Sequence, residues 1–138
     1  PLYKVIEDLT ESNPYIELLG FKNQDDIIEY IRASDCIIIP SYEESGPLVG
    51  LEAMASARLV ISTRVGAMPY RLRDSKNQFW FDINQLETLD KVLNELLKLT
   101  NHEIKDIAEQ NRAIYLDNYA QRIVESQYKK TIFSLLKT

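Results

Sequence analysis

The sequence predicts an α/β fold in which a doubly wound parallel sheet is flanked by helices. Short apolar runs alternate with longer segments of helical period, which is the pattern of a parallel sheet covered by helices. The run from Cys36 to Ile39 does not alternate with polar residues, which indicates an interior strand buried on both faces. With 138 residues, of which 45% are hydrophobic and 27% charged, the chain suffices for one domain with one sizeable core.

The first half of the chain is expected to alternate helices and strands. In order, we predict helical structure over 1–13, a strand over 15–21, a helix over 23–34, a strand over 35–41, a helix from Pro47 to about Ser56 and a strand over 57–63. Ile27, Ile28 and Ile31 fall on one face of the second helix, behind an acidic first turn. Pro40 is expected to end the strand that contains the apolar run.

The second half is expected to contain one short strand and three amphipathic helices. The strand covers 78–83, and its aromatic residues Phe79, Trp80 and Phe81 are expected to pack in the core rather than stack on a base. Asn84 with Glu87, and Thr100 with Glu103, have the spacing of capping boxes that begin helices. Apolar residues recur at helical spacing in each helix and are expected to face inward: Leu86, Leu89, Val92, Leu93, Leu96 and Leu97 in the first, Ile104, Ile107, Ala108, Ile114 and Tyr115 in the second, and Val124, Tyr128, Ile132 and Leu135 in the last, over 120–136.

The predicted sheet is thin for its class. Four strands are predicted, whereas Rossmann-like doubly wound domains usually carry five or six. The first predicted element is helical with no strand before it, and Pro1 is not a natural start. We therefore expect residues 1–138 to be a single domain that lacks its first strands, because the natural chain begins well upstream of Pro1.

Composition and charge exclude several classes of function. The formal net charge is −5 and the basic residues are scattered, so we expect no nucleic-acid partner. Cys36 is the single cysteine and His102 the single histidine, which excludes an internal disulfide and leaves no metal-ligand spacing. We expect Cys36 to be a buried, inert thiol and His102 to be solvated. No apolar run approaches the roughly 20 residues of a membrane span, so the domain is predicted to be cytoplasmic.

Residues 40–69 form the segment most suggestive of a ligand site. They follow the carboxyl end of a predicted parallel strand and lead into a helix, which is where α/β domains bind ligands. Gly46 suits the cap of that helix and Pro47 its first position, which leaves the amides of Leu48 and Val49 unpaired. Together with the helix dipole, these amides are suited to bind a pyrophosphate.

Two glutamates flank this turn. Glu52 lies among apolar residues, so we expect it to be partly buried with a partner, and its carboxylate can accept hydrogen bonds from both hydroxyls of a ribose. Glu44 precedes the helix and can meet the hydroxyls of a sugar beyond the phosphates. The alternatives are a helix-dipole role for Glu44 and a solvated helix face for Glu52. Gly66 is either a turn glycine or part of the lining of the ligand pocket.

The motif Pro40-Ser41, Glu44, Glu52-Ala53-Met54-Ala55 resembles the donor-binding signature of the family 4 retaining glycosyltransferases, which have the two-domain GT-B architecture. The resemblance covers roughly residues 14–98. It implies that Glu52 holds the ribose of a nucleotide-diphosphate sugar and that Glu44 is the catalytic carboxylate at the donor sugar. It further implies that the donor-binding residues include Gly46, Pro47, Leu48, Val49 and Gly66.

The resemblance also implies what the whole enzyme does. The domain would be the C-terminal half of a GT-B fold, inactive alone, whose partner is an N-terminal acceptor domain outside this chain. The donor would be a nucleotide-diphosphate sugar, above all a UDP-sugar, used without cofactor or metal. A hexose-type sugar would pass with retention to a glycan or lipid-linked glycan in bacterial polysaccharide biosynthesis. The missing half would provide any peripheral association with the inner face of the membrane.

Several residues depart from the family pattern. Many members have glycines at the positions of Ser45, Pro47 and Ala57, and a glutamate often stands at the position of Tyr70. The basic pair that members use to clamp the diphosphate lies on segments outside this chain. Arg64 and Arg71 are expected to be surface charges, because nothing in their spacing directs them to phosphate.

Two other functions remain open at the level of sequence. A nucleotide-sugar epimerase of GT-B architecture would lack the Glu-Ala-Met-Ala pattern. A non-catalytic flavodoxin-like module switched by phosphorylation would need an acidic cluster at strand ends, whereas Asp25 and Asp26 begin a helix.

Overall fold

The computed structural model describes residues 2–136 and contains a parallel β-sheet flanked by helices. The strands are β1 (Cys36–Ile39), β2 (Leu59–Ser62) and β3 (Phe79–Trp80), and they pair in the order β1-β2-β3. The helices of this range are α1 (Leu2–Ser12), α2 (Gln24–Ala33), α3 (Leu48–Ala55), α4 (Met68–Arg71), α5 (Glu87–Leu96), α6 (Asn101–Asn118) and α7 (Gln121–Leu135). The predicted α/β class and parallel sheet are confirmed. Within this range, no helix combines the length and the apolar character that a membrane span requires.

Strand β2 is the centre of the fold. All four of its residues are buried, because strands pair with it on both sides and the two faces pack on different clusters. Val60 belongs to a cluster with Met54 and Met68, whereas Leu59 and Ile61 face a second cluster that includes Phe79 and Val92. A continuous apolar run therefore suits β2, which has no polar face.

Among residues 2–136, strand β1 lies at the edge of the sheet, which corrects the prediction that it is buried on both faces. Ile38 is 44% exposed, and Ile39 is the buried residue of the strand. Strands β1 and β2 have similar apolar composition, so composition alone does not reveal which of them is central.

The predicted strand over 15–21 is wrong. Tyr15 and Phe21 are 96% and 98% exposed, and residues 16–20 form an irregular segment. The backbone pairing recorded for β1 is with β2, and the amide of Ile16 donates to Asn13. An apolar run becomes a strand only when its backbone pairs with a neighbour, and among the described residues this segment has none.

Side-chain caps explain where two helices begin. Asn23 caps α2 by accepting from the amide of Asp26, and Thr100 with Glu103 forms the predicted capping box of α6. The predicted box of Asn84 and Glu87 is wrong. Leu86 precedes α5 without a side-chain cap, and the Asn84 side chain hydrogen-bonds to Tyr42 and Asp82 instead.

The inward face predicted for the last helix is also wrong. Tyr128, Ile132 and Leu135 of α7 are exposed, and Val124 near its start is half-buried. In α6 the prediction holds better, because Ile107 and Ala108 are buried.

Two buried asparagines connect β2, the segment before β3 and α6. The Asn77 side chain accepts from the amide of Val60 at 2.8 Å and donates to the carbonyl of Val60 at 2.6 Å. Asn111 donates to Asn77 Oδ1 at 2.9 Å and accepts from the Ser75 hydroxyl at 2.6 Å. These groups are buried but satisfied, so they stabilise the junction.

Helix α3 ends in a Schellman motif with an unusual residue. The amide of Ala57 donates to Met54 and that of Arg58 donates to Ala53, while Ala57 has a φ of 52°. Glycine usually occupies this left-handed position because a Cβ atom is unfavourable there. Ala57 thus adopts the backbone conformation of the glycine that the family resemblance implies at this position.

Candidate functional site

A cavity of about 1080 Å³ opens at the carboxyl ends of all three strands. Its walls are residues 41–45 after β1, residues 63–66 after β2 and residues 80–84 at and after β3, together with Thr88. The parallel sheet produces this arrangement because the carboxyl ends of its strands meet at one edge. Of the predicted site residues, Glu44 and Gly66 line this cavity.

Gly66 is required by the close approach of two loops. Its φ is +50°, and a Cβ atom there would lie 2.5 Å from the carbonyl oxygen of Glu44 and 2.6 Å from that of Ser45. The next amide, of Ala67, donates to the Ser45 carbonyl at 3.0 Å. Gly66 is therefore both a turn glycine and a lining residue, so the two interpretations of it are compatible.

The charged groups of the strand-end cavity are mainly carboxylates. Glu43, Glu44 and Asp82 line it, and Arg64 is the basic residue among its described lining residues. Both oxygens of Asp82 accept hydrogen bonds from its own loop, whereas no donor of the described chain reaches Glu43 or Glu44. Free carboxylates are acceptors, so this cavity suits a ligand rich in hydroxyl groups.

Two contacts shape the wall at β3. The Tyr42 hydroxyl donates to Asn84 Oδ1 at 2.6 Å and joins the loops that follow β1 and β3. The Arg64 guanidinium lies 4.9 Å from the centre of the Trp80 ring, a cation–π contact. Phe79 and Phe81 are buried as predicted, while Trp80 is half-buried and its ring borders the cavity.

Glu52 and Leu48 line a second cavity. It has a volume of about 690 Å³ and lies between α2, α3 and α6, with Arg58 and Arg112 among its lining residues. Glu52 is half-buried and accepts a hydrogen bond from Gln24 Nε2 at 2.7 Å. Its partial burial and its partner agree with the expectation from its apolar neighbours, but it does not share the cavity of Glu44.

The amino end of α3 lies between Glu44 and Glu52 in the chain. Pro47 is the cap residue and Leu48 the first helical residue, so the helix begins one position later than predicted. Gly50 donates to the Pro47 carbonyl, while in residues 2–136 the amides of Leu48 and Val49 find no acceptor. These two amides are unpaired, as expected at the start of a helix, and Leu48 is 71% exposed. Anion binding by them stays a prediction.

Arg71 is the site residue that sequence reasoning missed. It is half-buried rather than a surface charge, its Nη1 donates to the carbonyl of Pro47 at 2.7 Å, and burial lowers the pKa of its guanidinium. A Cβ atom on Gly46 would lie 2.9 Å from Nη2 of Arg71. Arg64 is exposed as predicted, although it faces the strand-end cavity.

The remaining titratable candidates lie away from both cavities. His102 is exposed, in agreement with the prediction. Cys36 lies on β1 and is half-buried rather than buried as predicted. Its partial burial and the neighbouring Asp35 carboxylate raise the pKa of its thiol. A raised pKa disfavours the reactive thiolate, which agrees with the prediction of an inert cysteine.

The sequence of this chain is similar to known glycosyltransferases. The family profile described as Glycosyl transferases group 1 matches residues 4–114. An uncharacterized glycosyltransferase of Methanocaldococcus jannaschii is 32% identical over 112 residues, which cover 80% of this chain and 31% of that protein. The D-inositol 3-phosphate glycosyltransferase of Corynebacterium urealyticum is 27% identical over 128 residues, or 88% of this chain and 30% of that protein. The enzyme of the same name from Corynebacterium kroppenstedtii is 34% identical over 79 residues, or 55% of this chain and 18% of that protein. The chain thus spans less than a third of the length of each of these relatives.

Proposed function

We propose a donor-binding role for this chain, which belongs to the family Glycosyl transferases group 1 and is therefore a transferase domain. The role is that of the C-terminal half of a retaining family 4 enzyme, in which a second domain binds the acceptor. Family membership sets aside the flavodoxin-like module and the epimerase. The observation that carries the proposal is the cavity at the carboxyl ends of the strands, lined by the unpaired carboxylate of Glu44 and by Gly66.

In this proposal the parts of the donor bind to different elements. The sugar occupies the strand-end cavity, where Glu44 accepts hydrogen bonds from its hydroxyls. The diphosphate lies at the amino end of α3, where Leu48 and Val49 offer free amides and Gly46 and Pro47 form the approach. The ribose binds to Glu52 in the second turn of the same helix. Each of these positions has a polar group available, which supports the assignment.

The chemistry follows from this placement. The bond from the anomeric carbon to the diphosphate breaks, and a bond to the acceptor oxygen forms on the same face of the sugar. The proton of the acceptor hydroxyl passes to an oxygen of the leaving phosphate. The amides at the amino end of α3 stabilise the charge that develops on this leaving group, as preorganised donors do in other transfer reactions.

The acceptor is proposed from the wider context of the family. A glycan or lipid-linked glycan acceptor in polysaccharide synthesis is the first candidate, with the enzyme at the inner face of the membrane. A small phosphorylated polyol is the second candidate, because two of the relatives are named D-inositol 3-phosphate glycosyltransferase. Transfer assays with both acceptor classes, using the full-length enzyme, distinguish the two.

Calorimetric titration of this chain with nucleoside diphosphates and UDP-sugars tests the donor role. We expect saturable binding, strongest for the uridine compounds, that Glu52→Ala weakens and Glu95→Ala leaves unchanged, since Glu95 is an exposed residue of α5. In the full-length enzyme, Glu44→Ala should mainly lower the turnover number. Transfer at the wild-type rate by both the Glu44 and the Glu52 variant would refute the site.

A further inference from the structure

The hydrogen bond between Gln24 and Glu52 connects α2 to α3 and joins two residues that lie 28 positions apart in sequence. Gln24 is the first residue of α2, and its Nε2 donates to Glu52 Oε1 at 2.7 Å. We infer that Gln24 is a positioning residue, which orients the Glu52 carboxylate for the two hydroxyls of a ribose. This inference rests on the proposed donor role of Glu52.

Both ends of this hydrogen bond are fixed by their helices. The start of α2 is held by the Asn23 cap, whose Oδ1 accepts from the amide of Asp26 at 2.9 Å, and by the buried side chain of Ile31. Glu52 is followed in α3 by Ala53 and Met54, which are both fully buried. A side chain held from one rigid helix by a donor on another loses little further freedom when a ligand binds, which favours affinity.

The chemistry of an amide suits this role. A carboxylate has about four acceptor positions, and Gln24 occupies one of them without removing the negative charge. The remaining positions can accept from vicinal hydroxyls. The Gln24 amide also carries its own carbonyl oxygen, which adds an acceptor beside the carboxylate. A glutamate at position 24 would instead place a like charge against Glu52, beside the acidic residues Asp25 and Asp26.

The Gln24 side chain is exposed, so a purely structural role is small. Its replacement leaves the Asn23 cap and the packing of Ile31 intact, because neither involves the Gln24 side chain. The variant Gln24→Ala should therefore fold normally, and any effect on ligand selectivity reports on the orientation of Glu52.

The test measures dissociation constants of this chain for UDP, GDP and ADP and for their 2′-deoxy forms. We expect Gln24→Ala to weaken binding of the preferred ribonucleotide roughly fivefold, as for the loss of one hydrogen bond, and to leave its 2′-deoxy form nearly unchanged. Gln24→Glu should weaken ribonucleotide binding further. In the Glu52→Ala background, Gln24→Ala should have no additional effect.

The chain offers a matched control. Gln121 Nε2 donates to Glu125 Oε1 at the same distance of 2.7 Å on α7, so Gln121→Ala removes an equivalent bond outside the two proposed donor cavities. This control should bind all nucleotides as the wild type does. Weakened binding after Glu52→Ala but not after Gln24→Ala would overturn the positioning role alone. If the wild-type chain binds no nucleotide, the same titrations are made with the full-length enzyme, and no nucleotide binding there would overturn the donor role and the inference with it.

Discussion

Arg71 Nη1 donates a hydrogen bond to the carbonyl of Pro47 at 2.7 Å and so connects α4 to the amino end of α3. The two residues are 24 positions apart, and β2 and the Gly66 turn bring them together. The contact keeps a guanidinium against Gly46 and holds the loop that leads into α3. The position of the Leu48 and Val49 amides therefore depends on a residue that belongs to a different helix.

Replacement of Arg71 should loosen this loop. We expect Arg71→Met to lower the free energy of unfolding by about 1–3 kcal/mol, because the Pro47 carbonyl loses a charged donor, and to weaken nucleotide binding. Arg73→Met is the control, since Arg73 is exposed and stacks on Tyr70 outside both cavities. Denaturant titration and calorimetry provide the two measurements. Equal effects of the two variants would contradict a specific role for Arg71.

Gly66 and Gly20 allow the cost of a left-handed backbone conformation to be measured separately from the cost of a steric contact. Both have positive φ, but a Cβ atom at Gly20 meets nothing within 4 Å, whereas at Gly66 it would meet the Glu44 carbonyl at 2.5 Å. Gly20→Ala should therefore cost only the conformational penalty, about 1 kcal/mol. Gly66→Ala should cost clearly more and also reduce donor binding, which thermal unfolding and titration measure. Similar stabilities of the two variants would show that the two loops can separate at little cost.

Ala57 is a position at which the protein can be stabilised. Its φ of 52° is left-handed, so Ala57→Gly should raise the free energy of unfolding by about 1 kcal/mol. Ala55→Gly, two residues earlier in the last turn of α3, should lower it by up to about 1 kcal/mol. The midpoints of denaturant unfolding measure both changes in stability. A destabilised Ala57→Gly variant would be inconsistent with the Schellman motif described above.

The buried asparagines should be sensitive to truncation. Asn77→Ala leaves the Val60 amide and carbonyl without their partners, so we expect a loss of about 2–4 kcal/mol for its two backbone bonds. Asn111→Ala should disrupt the same hydrogen-bond network. The double variant should therefore lose less stability than the sum of the losses of the two single variants. Asn94→Ala, on the exposed surface of α5, serves as the control in chemical unfolding. Additive losses would show that the two asparagines act independently.

The ion pair of Lys76 and Asp106 should make stability depend on pH. The hydrogen bond and charge of Lys76, at 2.6 Å, lower the pKa of the Asp106 carboxyl below its unfolded value of about 3.9. A lowered folded pKa means that the contribution is present above about pH 4 and is lost as the pH falls through the folded value. Asp106→Asn and Lys76→Met should each reduce the fall in stability on acidification. An acid unfolding curve unchanged by both variants would contradict this assignment.

The sequence predicted the elements whose signals are local. The apolar runs predicted β1, β2 and β3, and the Thr100–Glu103 box predicted the start of α6. The errors fall where the same local sequence pattern is compatible with two different structures. The segment 15–21 has the composition of a strand but no neighbour in the described chain, and Asn84 has the spacing of a cap but bonds to Tyr42 instead. Period and spacing carry no information about these partners.

For the candidate site, too, the local features were predictable from the sequence and the long-range contacts were not. The motif order placed Glu44 and the amino end of α3 at the carboxyl edge of the sheet, because parallel strands fix that geometry. The contacts of Arg71 with Pro47 and of Gln24 with Glu52 join segments 24 and 28 residues apart, and neither has a periodic signal. They become visible only once the helices are packed together.

The contact of Gly66 with the Glu44–Ser45 backbone also limits how this region can change length. Because the amide of Ala67 donates to the Ser45 carbonyl, an added residue in either loop would move the backbone of the other. Insertions between 64 and 67 should therefore be rejected during evolution unless the loop after β1 changes with them. The exposed connection at residues 97–98, beyond α5, has no such partner loop among the described residues and is the better place to insert an affinity tag or a fluorescent reporter.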